Sequence, residues 1–324
     1  GSDANNPRPL FARETVVVEY APPEIGNEKR PLRPAEIGLL LDERADTLDV
    51  TATIVDLAVR DYLRIEQVEG KGIFGKDDYV LHKLKEADDT LLVYERTLFD
   101  ALFDSESVKM SDLKNEFYSD LAKVKTALYV QGGKSKDKFF NRSPSSVRTG
   151  YLTAGFVIAG LGAAAFVGLG VIEIGAILAV PIVIAGLLMA ALSSAMVART
   201  AFGREMYRRI LGFREYMEVA ETDRQRFYED ASIFDKYLPY AIVYGCTEKW
   251  ARAFEGIEGV DTTTRSWYTG PHAFTPVLFA SSINSFSSSV SSSIASTPAS
   301  SGGSGFSGGG GGGGGFGGGG GGSW

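Results

Sequence analysis

Cysteine and histidine are scarce in this sequence. Its 324 residues include one cysteine, Cys246, and two histidines, His82 and His272. A single cysteine cannot form an internal disulfide, and a structural zinc site built from cysteine and histidine needs four ligands. We therefore predict neither a metal site nor a cofactor. No histidine or acidic pattern surrounds Cys246, so we interpret it as a buried thiol rather than a nucleophile.

A basic stripe is also missing. The chain has 33 Lys and Arg against 40 Asp and Glu, a net charge of −7, whereas a general nucleic-acid-binding protein concentrates positive charge on one face. We therefore expect no nucleic-acid partner. The opening residues, GSDANNPRPLF, lack the apolar segment of a signal peptide. We expect them to follow an upstream part of a longer chain or to form a juxtamembrane linker.

Charge is almost absent from residues 151–197, where Glu173 is the one charged residue. About 20 helical residues, each rising about 1.5 Å, cross a hydrocarbon core of roughly 30 Å. The stretch holds two such lengths, 151–172 and 174–197. We therefore predict a two-helix transmembrane hairpin over residues 149–198. The alternative is a buried hairpin of a soluble protein, but soluble helices rarely lack charge over such a length.

Basic residues flank the apolar stretch on both sides, and none lies in the turn between its halves. By the positive-inside rule, both ends are cytoplasmic and the turn is outside. We therefore place the chain in the inner (cytoplasmic) membrane as a multi-pass protein, with the lipid bilayer as a partner. The bases before the first helix, together with Phe139 and Phe140, are a candidate anionic-lipid surface. Plain positive-inside flanking explains the same bases: Lys134, Lys136, Lys138, Arg142 and Arg148.

Glu173 marks the topology of the predicted hairpin. We expect it in a solvated turn at the far interface, because an ionised acid is costly inside hydrocarbon. The alternative is an ion or proton site in an oligomeric transport or channel component. Gly155 and Ala159 have the spacing that lets two helices approach closely, and Pro181 is expected to kink the second helix.

Residues 33–148 alternate between helical and strand patterns. Pro34 suits the first turn of a helix that continues as AEIGLLL, and Asp46 or Thr47 caps a second helix. YLRIEQV and DYVLHKL alternate as two strands around a glycine-rich loop. Helix, helix and hairpin in this order predict a winged-helix-like cytoplasmic α+β module.

Two features of this module suggest other functions. Residues 70–75 contain GxGxxG, but a dinucleotide-binding motif must open a helix, so we interpret it as the tip of the hairpin. The candidate recognition helix, residues 47–60, carries Asp49 and Asp56 against the single base Arg60. Phosphate contacts need Lys and Arg. Protein interaction is therefore favoured over DNA binding for this helix.

The remaining segments complete a chain that is predicted to be mainly α with small β. Residues 1–32 are predicted to form a juxtamembrane strand, ETVVVEY, and a Pro-rich linker. Residues 199–260 combine alternating charges with periodic apolar positions and predict an amphipathic helical cytoplasmic module. Residues 261–324 are rich in serine and then in glycine, and such a tail cannot bury enough apolar surface to offset its ordering entropy. We predict that it is disordered.

Several segments resemble one family. VVVEYAPPE, PAEIGLLLDERAD, DVTATIVDLAVRDYLRIE and FDKYLPYAIVYGCTEKWARAF are similar to the C-terminal half of the DUF2207 family of predicted bacterial membrane proteins, as is the glycine tail ending in SW. The resemblance covers nearly the whole chain. It implies that an extracytoplasmic domain and a further membrane span precede GSDANNPRPLF. The family brings no catalytic residues, so none is expected here.

These features favour a non-enzymatic protein of the bacterial envelope. Its membrane-tethered winged-helix module would act in protein–protein interaction or scaffolding, with homo-oligomers as one form. One alternative is a membrane-tethered transcription regulator, and another is an oligomeric transport or channel component. An enzyme is not favoured, because the sequence shows no P-loop, nucleophile elbow or metal cluster. An active site assembled from distant positions has no such local motif.

Overall fold

The structure, a computed structural model, describes residues 17–26, 30–70, 77–133, 138–169, 173–220, 230–271 and 275–297. It is mainly helical with small sheets, as the sequence predicts. The helices are α1 (Pro34–Asp42), α2 (Thr47–Val59), α3 (Val93–Leu102), α4 (Tyr118–Gln131), α5 (Pro144–Leu169), α6 (Glu173–Ala191), α7 (Ala201–Glu218), α8 (Ile233–Tyr244), α9 (Thr247–Ala253), α10 (Val260–Trp267) and α11 (Pro276–Ile294), with a 3-10 helix at Ser193–Met196. The strands are β1 (Glu24–Ile25), β2 (Arg30–Pro31), β3 (Leu63–Val68), β4 (Asp78–Lys83), β5 (Ser107–Lys109) and β6 (Tyr268–Thr269).

The start of α2 is fixed by two aspartates. The Asp46 carboxylate accepts the backbone N–H groups of Leu48 at 2.8 Å and Asp49 at 3.2 Å. The Asp49 carboxylate in turn accepts the N–H of Asp46 at 3.0 Å. This reciprocal capping satisfies N–H groups that have no partner within the helix. The predicted cap at Asp46 is therefore confirmed.

Strands β3 and β4 form the predicted antiparallel pair, with Leu63 opposite Lys83 and Val68 opposite Asp78. The four-stranded sheet has the order β5-β4-β3-β6, and β6 pairs parallel to β3. The tip of the pair, residues 71–76, includes most of the GxGxxG segment and lies outside the described residues. Helix, helix and strand pair thus occur in the predicted order, with a strand added on either side.

Helix α2 occupies the centre of the core. Ten consecutive residues, from Asp49 to Ala58, are buried, because α2 packs against α1, α8, α10, α11 and β3. A recognition helix must present one face to the DNA groove, and α2 has no such face. Asp49 and Asp56, whose charges were expected to repel DNA, instead lie in the interior.

Segments on the two sides of the apolar helices share one hydrophobic core. Helix α8 packs against α1 and α2, and α7 packs against α1. Buried hydroxyl groups join these layers: Tyr240 Oη donates to the carbonyl of Leu32 at 2.9 Å, and Tyr244 Oη donates to that of Ile210 at 2.8 Å. The modules predicted at 33–148 and 199–260 therefore meet in a single folded body.

The predicted disorder from residue 261 is wrong for the described part of the tail up to residue 294. There the chain forms α10, β6 and α11, and α11 buries five large apolar side chains at intervals of three or four residues: Phe279, Ile283, Phe286, Val290 and Ile294. This apolar stripe lies between serines, so overall composition conceals it. Residues 298–324 lie outside the described part of the chain.

The N-terminal segment also differs from its prediction. Residues 17–20, the described part of ETVVVEY, form no strand but lie along α7. Arg209 pairs with Glu19 at 2.6 Å, and the Tyr20 ring packs edge-on against Tyr216 at 5.2 Å. The short strands β1 and β2 pair with each other inside the predicted Pro-rich linker. This segment is therefore held by α7 rather than by a sheet.

We predict that Gly38→Ala destabilises the body. A Cβ at Gly38 would lie 1.8 Å from Oδ1 of Asp49, whose side chain is buried and fixed by its bond to Asp46. Overpacking of this kind lowers the free energy of unfolding by about 1–3 kcal/mol. Chemical unfolding of the full chain in detergent measures the loss. Gly26→Ala is the control, because no atom lies within 4 Å of the added Cβ, and equal losses for both variants would contradict the prediction.

Candidate membrane interface

Helix α5 is long and apolar enough to cross a membrane. Its candidate span is Pro144–Val167, and only 17% of the most apolar window is buried. Large side chains on its surface are exposed, with Phe156 at 56%, Leu161 at 65% and Val167 at 80%. The core helix of a soluble protein is mostly buried, whereas most of α5 is exposed. Helix α5 is therefore a candidate membrane span.

Helix α6 is less clearly a membrane span than the sequence predicts. The described apolar part of its sequence, Ala179–Ala191, is shorter than a membrane span, so α5 is the one candidate span among the described residues. Pro181 lies inside α6, and the helix ends at Ala191, before the 3-10 helix Ser193–Met196. The two-span hairpin therefore stays a prediction, while one candidate span is a finding.

Small residues bring α5 and α6 together. A Cβ at Gly155 would lie 2.6 Å from the carbonyl oxygen of Gly186, and one at Gly186 would lie 2.5 Å from the backbone nitrogen of Ala159. A Cβ at Gly162 would lie 2.9 Å from the nitrogen of Val183. The spacing of Gly155 and Ala159 thus serves contact within the chain, in the way that small residues allow close helix packing in membranes.

The segment before α5 and the segment after α6 lie side by side. Phe140 and Arg199 form an antiparallel bridge, and the N–H of Thr200 donates to the carbonyl of Phe139 at 3.0 Å. A Cβ at Gly203 would lie 2.0 Å from that same carbonyl oxygen. The segment before α5 and the segment after α6 therefore join the folded body at the same place.

Two arginines hold this place against the carboxyl end of α1. Arg199 Nη2 lies 3.2 Å from Oε1 of Glu43 and donates to the carbonyl of Leu40 at 2.9 Å. Arg148 Nη2 lies 3.8 Å from Oε2 of Glu43 and donates to the carbonyl of Asp42 at 3.3 Å. The last carbonyls of a helix lack partners and carry partial negative charge, which cations stabilise. The Glu43 carboxylate therefore faces one arginine near the start of α5 and one arginine after the end of α6.

The predicted lipid-facing cluster is divided in the structure. Lys138 and Arg142 are exposed beside the start of α5, whereas Arg148 points to α1 and Glu43. Phe139 and Phe140, expected at the lipid surface, are 3% and 2% exposed and belong to the core. Lys134 and Lys136 lie outside the described residues.

Glu173 and Cys246 are two further residues that the sequence analysis singles out. Glu173 is the first residue of α6, and its side chain lies outside what the structure describes. Cys246 is a free thiol with 5% exposure, and burial raises the pKa of this thiol to about 12. A thiol with so high a pKa is a poor nucleophile near neutral pH.

A cluster of three buried acids and three partly exposed arginines lies at the other end of α1: Glu36, Asp56, Glu95, Arg30, Arg33 and Arg60. Glu36 accepts two hydrogen bonds from Arg30, at 2.7 and 2.8 Å. Arg60 Nη2 lies 2.7 Å from Glu95 and 2.8 Å from Asp56. Burial raises the pKa of Glu95 and Arg60 opposes this shift. Sequence reasoning did not identify this cluster, because its members come from separate elements.

Glu43→Ala is predicted to weaken the junction, because it removes the carboxylate that both arginines face. The carboxylate lies 3.8 Å from the Arg148 nitrogen and 3.2 Å from the Arg199 nitrogen, and all three side chains are partly exposed. Ion pairs of this kind contribute up to about 1 kcal/mol each, so we expect the free energy of unfolding to fall by about 1–2 kcal/mol. Glu43 has a φ of 64°, which costs a residue with a Cβ about 1 kcal/mol, so Glu43→Gly should be less damaging by about that much. Unfolding in detergent measures both. The control is Glu86→Ala, because the Glu86 side chain is exposed where it pairs with Lys83. An unchanged Glu43→Ala protein would refute the role of Glu43.

Glu95→Ala is predicted to be more damaging, since Glu95 is fully buried and its loss leaves the charge of Arg60 incompletely compensated. Removing one partner of a buried ion pair costs about 3–5 kcal/mol. Asp89→Ala, at the exposed pair with Arg96, should change stability little. Thermal unfolding of the three proteins under one detergent condition makes the comparison. A Glu95→Ala midpoint equal to that of Asp89→Ala would contradict a structural role for the cluster.

Comparison with known proteins identifies one family. The model of the DUF2207 C-terminal domain, described as a predicted membrane protein, matches residues 29–254. The matched part extends from β2 through α9 and includes α5, α6 and their junction with α1. No curated protein and no solved structure matches the chain. The match covers more than half of the sequence and confirms the resemblance of the segments that lie within residues 29–254: the chain belongs to the DUF2207 family of predicted membrane proteins.

Proposed function

We propose that this chain is a non-enzymatic integral membrane protein of the bacterial envelope. In this proposal α5 and α6 form a transmembrane hairpin, and the folded body lies at the cytoplasmic face and binds protein partners. The observation that supports it most is the shared junction at Glu43. Because both ends of the apolar pair meet there, the two helices leave the body on one side and return to it on the same side.

The charges around the junction support the cytoplasmic orientation. Lys138 and Arg142 are exposed before α5, and Arg199, Arg204 and Arg208 follow α6. Residues 168–178, between the two apolar segments, contain no Lys or Arg. Positive charge next to a span favours the cytoplasmic side, and the exposed bases would also attract anionic lipid headgroups.

The interior of the body supports a binding role rather than catalysis. The buried carboxylates of Glu36, Asp49, Asp56 and Glu95 are engaged in ion pairs or backbone bonds, as in the bond from the N–H of Leu92 to Glu95 at 2.8 Å. The single thiol, Cys246, is buried. Among the described residues, no group of three or more His, Cys, Asp or Glu is arranged to hold a metal ion.

We interpret α1, α2, β3 and β4 as a winged-helix-like unit that serves as a scaffold. Its second helix is covered by α8 and α11, so the elements that could meet a partner are those at the surface, including the sheet and α3 with α4. A transcription regulator would need to contact DNA through a surface other than α2, because α2 is buried. Protein interaction is therefore the role that we propose for this unit.

Labelling of cysteine thiols tests the topology. The exposure of each position in the structure decides where the reporter cysteines are introduced. Cys246 is too buried to report, so the parent chain should stay unlabelled until it is denatured. Glu173→Cys places a reporter at the start of α6, and Ser105→Cys places one on the exposed surface between α3 and β5. With an impermeant maleimide on intact spheroplasts, we expect Glu173→Cys to react and Ser105→Cys to react only after the membrane is opened.

Each other outcome contradicts a named part of the proposal. Labelling of Ser105→Cys from outside would reverse the orientation. If both reporters react only after the membrane is opened, α5 and α6 do not carry residue 173 across it. Protection of Glu173→Cys until denaturation would mean that this position is buried.

A further inference from the structure

A surface pocket lies where the segments that flank the apolar helices join the body. Its volume is about 360 Å³, and five residues line it: Lys138, Asn141, Thr200, Ala201 and Phe202. The first two precede α5, and the other three lead into α7. Small-ligand sites have volumes of roughly 300–1,000 Å³. The pocket is therefore large enough for a phosphate ester.

Contacts within the chain fix the walls of this pocket. The N–H of Thr200 donates to the carbonyl of Phe139 at 3.0 Å, and its hydroxyl donates to the carbonyl of Lys138. The ring of Phe202 stacks on the buried ring of Phe139, with 6.1 Å between the ring centres. A site whose walls are already held in place has less ordering to pay for when it binds a ligand.

The polar side chains around the pocket are available to an anion. Lys138, Arg142 and Arg204 are exposed on the two segments that form the pocket, and none of them makes an ion pair with another described residue. The side chain of Asn141 is also exposed, and it makes no hydrogen bond to a described residue. Positive charge thus collects beside one pocket in a chain whose net charge is −7.

The length of α5 places the pocket beside the lipid headgroups. The candidate span, Pro144–Val167, has 24 residues. Such a helix is about 36 Å long, whereas the hydrocarbon core is roughly 30 Å thick. In the membrane arrangement proposed above, the first residues of α5 therefore extend into the headgroup layer. The pocket lies next to them, because Asn141 is three residues before Pro144.

We propose that this pocket binds the phosphate of one anionic phospholipid. The Lys138 ammonium and the Asn141 amide donate to phosphate oxygens, and Arg142 and Arg204 add electrostatic attraction. The proposal rests on the membrane insertion given above and deepens it by naming the lipid class and a single binding site. Positive charge that only sets the orientation of a span needs neither a pocket nor an uncharged donor. Asn141 therefore distinguishes a specific site from diffuse attraction.

Lipid titration of the full chain in neutral detergent tests the site, with native mass spectrometry to count the bound lipids. We expect one phosphatidylglycerol per chain to bind in preference to phosphatidylcholine. Each base near an anionic headgroup contributes about fivefold to affinity. The triple variant Lys138→Gln, Arg142→Gln and Arg204→Gln should therefore bind phosphatidylglycerol about 100-fold more weakly.

A matched control changes three exposed bases on the sheet side of the body, which make no ion pair with a described residue: Arg64→Gln, Lys109→Gln and Lys114→Gln. It alters the net charge by the same amount as the triple variant and should bind phosphatidylglycerol as the parent does. Equal weakening in both triple variants would mean that net charge, and not the pocket, holds the lipid.

Asn141→Ala is the sharper test, because it changes no charge. Loss of one hydrogen bond to the phosphate should weaken binding about tenfold, whereas the thermal unfolding midpoint should stay the same. An Asn141→Ala chain that binds phosphatidylglycerol as the parent does overturns the proposal, and so does equal binding of the two lipids to the parent.

Soluble glycerol phosphate identifies the source of the phosphate. If it binds as tightly as phosphatidylglycerol, the pocket takes a soluble phosphate ester and the lipid assignment is wrong. Much weaker binding of glycerol phosphate supports a lipid ligand. The labelling of Glu173→Cys is independent of these titrations, so failure of the lipid site and failure of the membrane topology are distinguishable.

Discussion

The arrangement of this protein depends on two arginines that converge on the carboxyl end of one short helix. Arg148 lies near the start of α5 and Arg199 follows α6 in sequence, and both face Glu43 and the last carbonyls of α1. A helix carboxyl end attracts cations on its own, and the Glu43 carboxylate adds a full charge. The apolar pair is thereby attached to the body at both of its ends, and its orientation is coupled to that of α1.

Helix α1 also connects the junction to the interior. Its first turn contains Glu36, which belongs to the cluster of three buried acids and three partly exposed arginines, and its side packs against α2 and α8. A displacement of the apolar helices would therefore act on elements that are already packed to the core. Paired charges inside a protein do not necessarily add stability, but breaking one pair is costly. The cluster thus favours one arrangement of α1, α2 and α3.

The proposed membrane role and the proposed interaction role belong to different parts of the chain. The apolar side chains of α5 are exposed, whereas the body buries its large apolar side chains in one core. The family match ends at residue 254, and the segment beyond it closes the core with α10, β6 and α11.

Local pattern was sufficient for several elements. The cap at Asp46, the pairing of β3 with β4 and the apolar character of α5 all arise from residues that are near one another in sequence. The contact between Glu43 and Arg199 could not be predicted, because it joins positions from separate elements and no local spacing marks it. Composition indicated disorder for α11, since serine favours neither helix nor burial. The tertiary structure decided otherwise because a groove of aromatic side chains stabilises a helix that the local sequence alone does not.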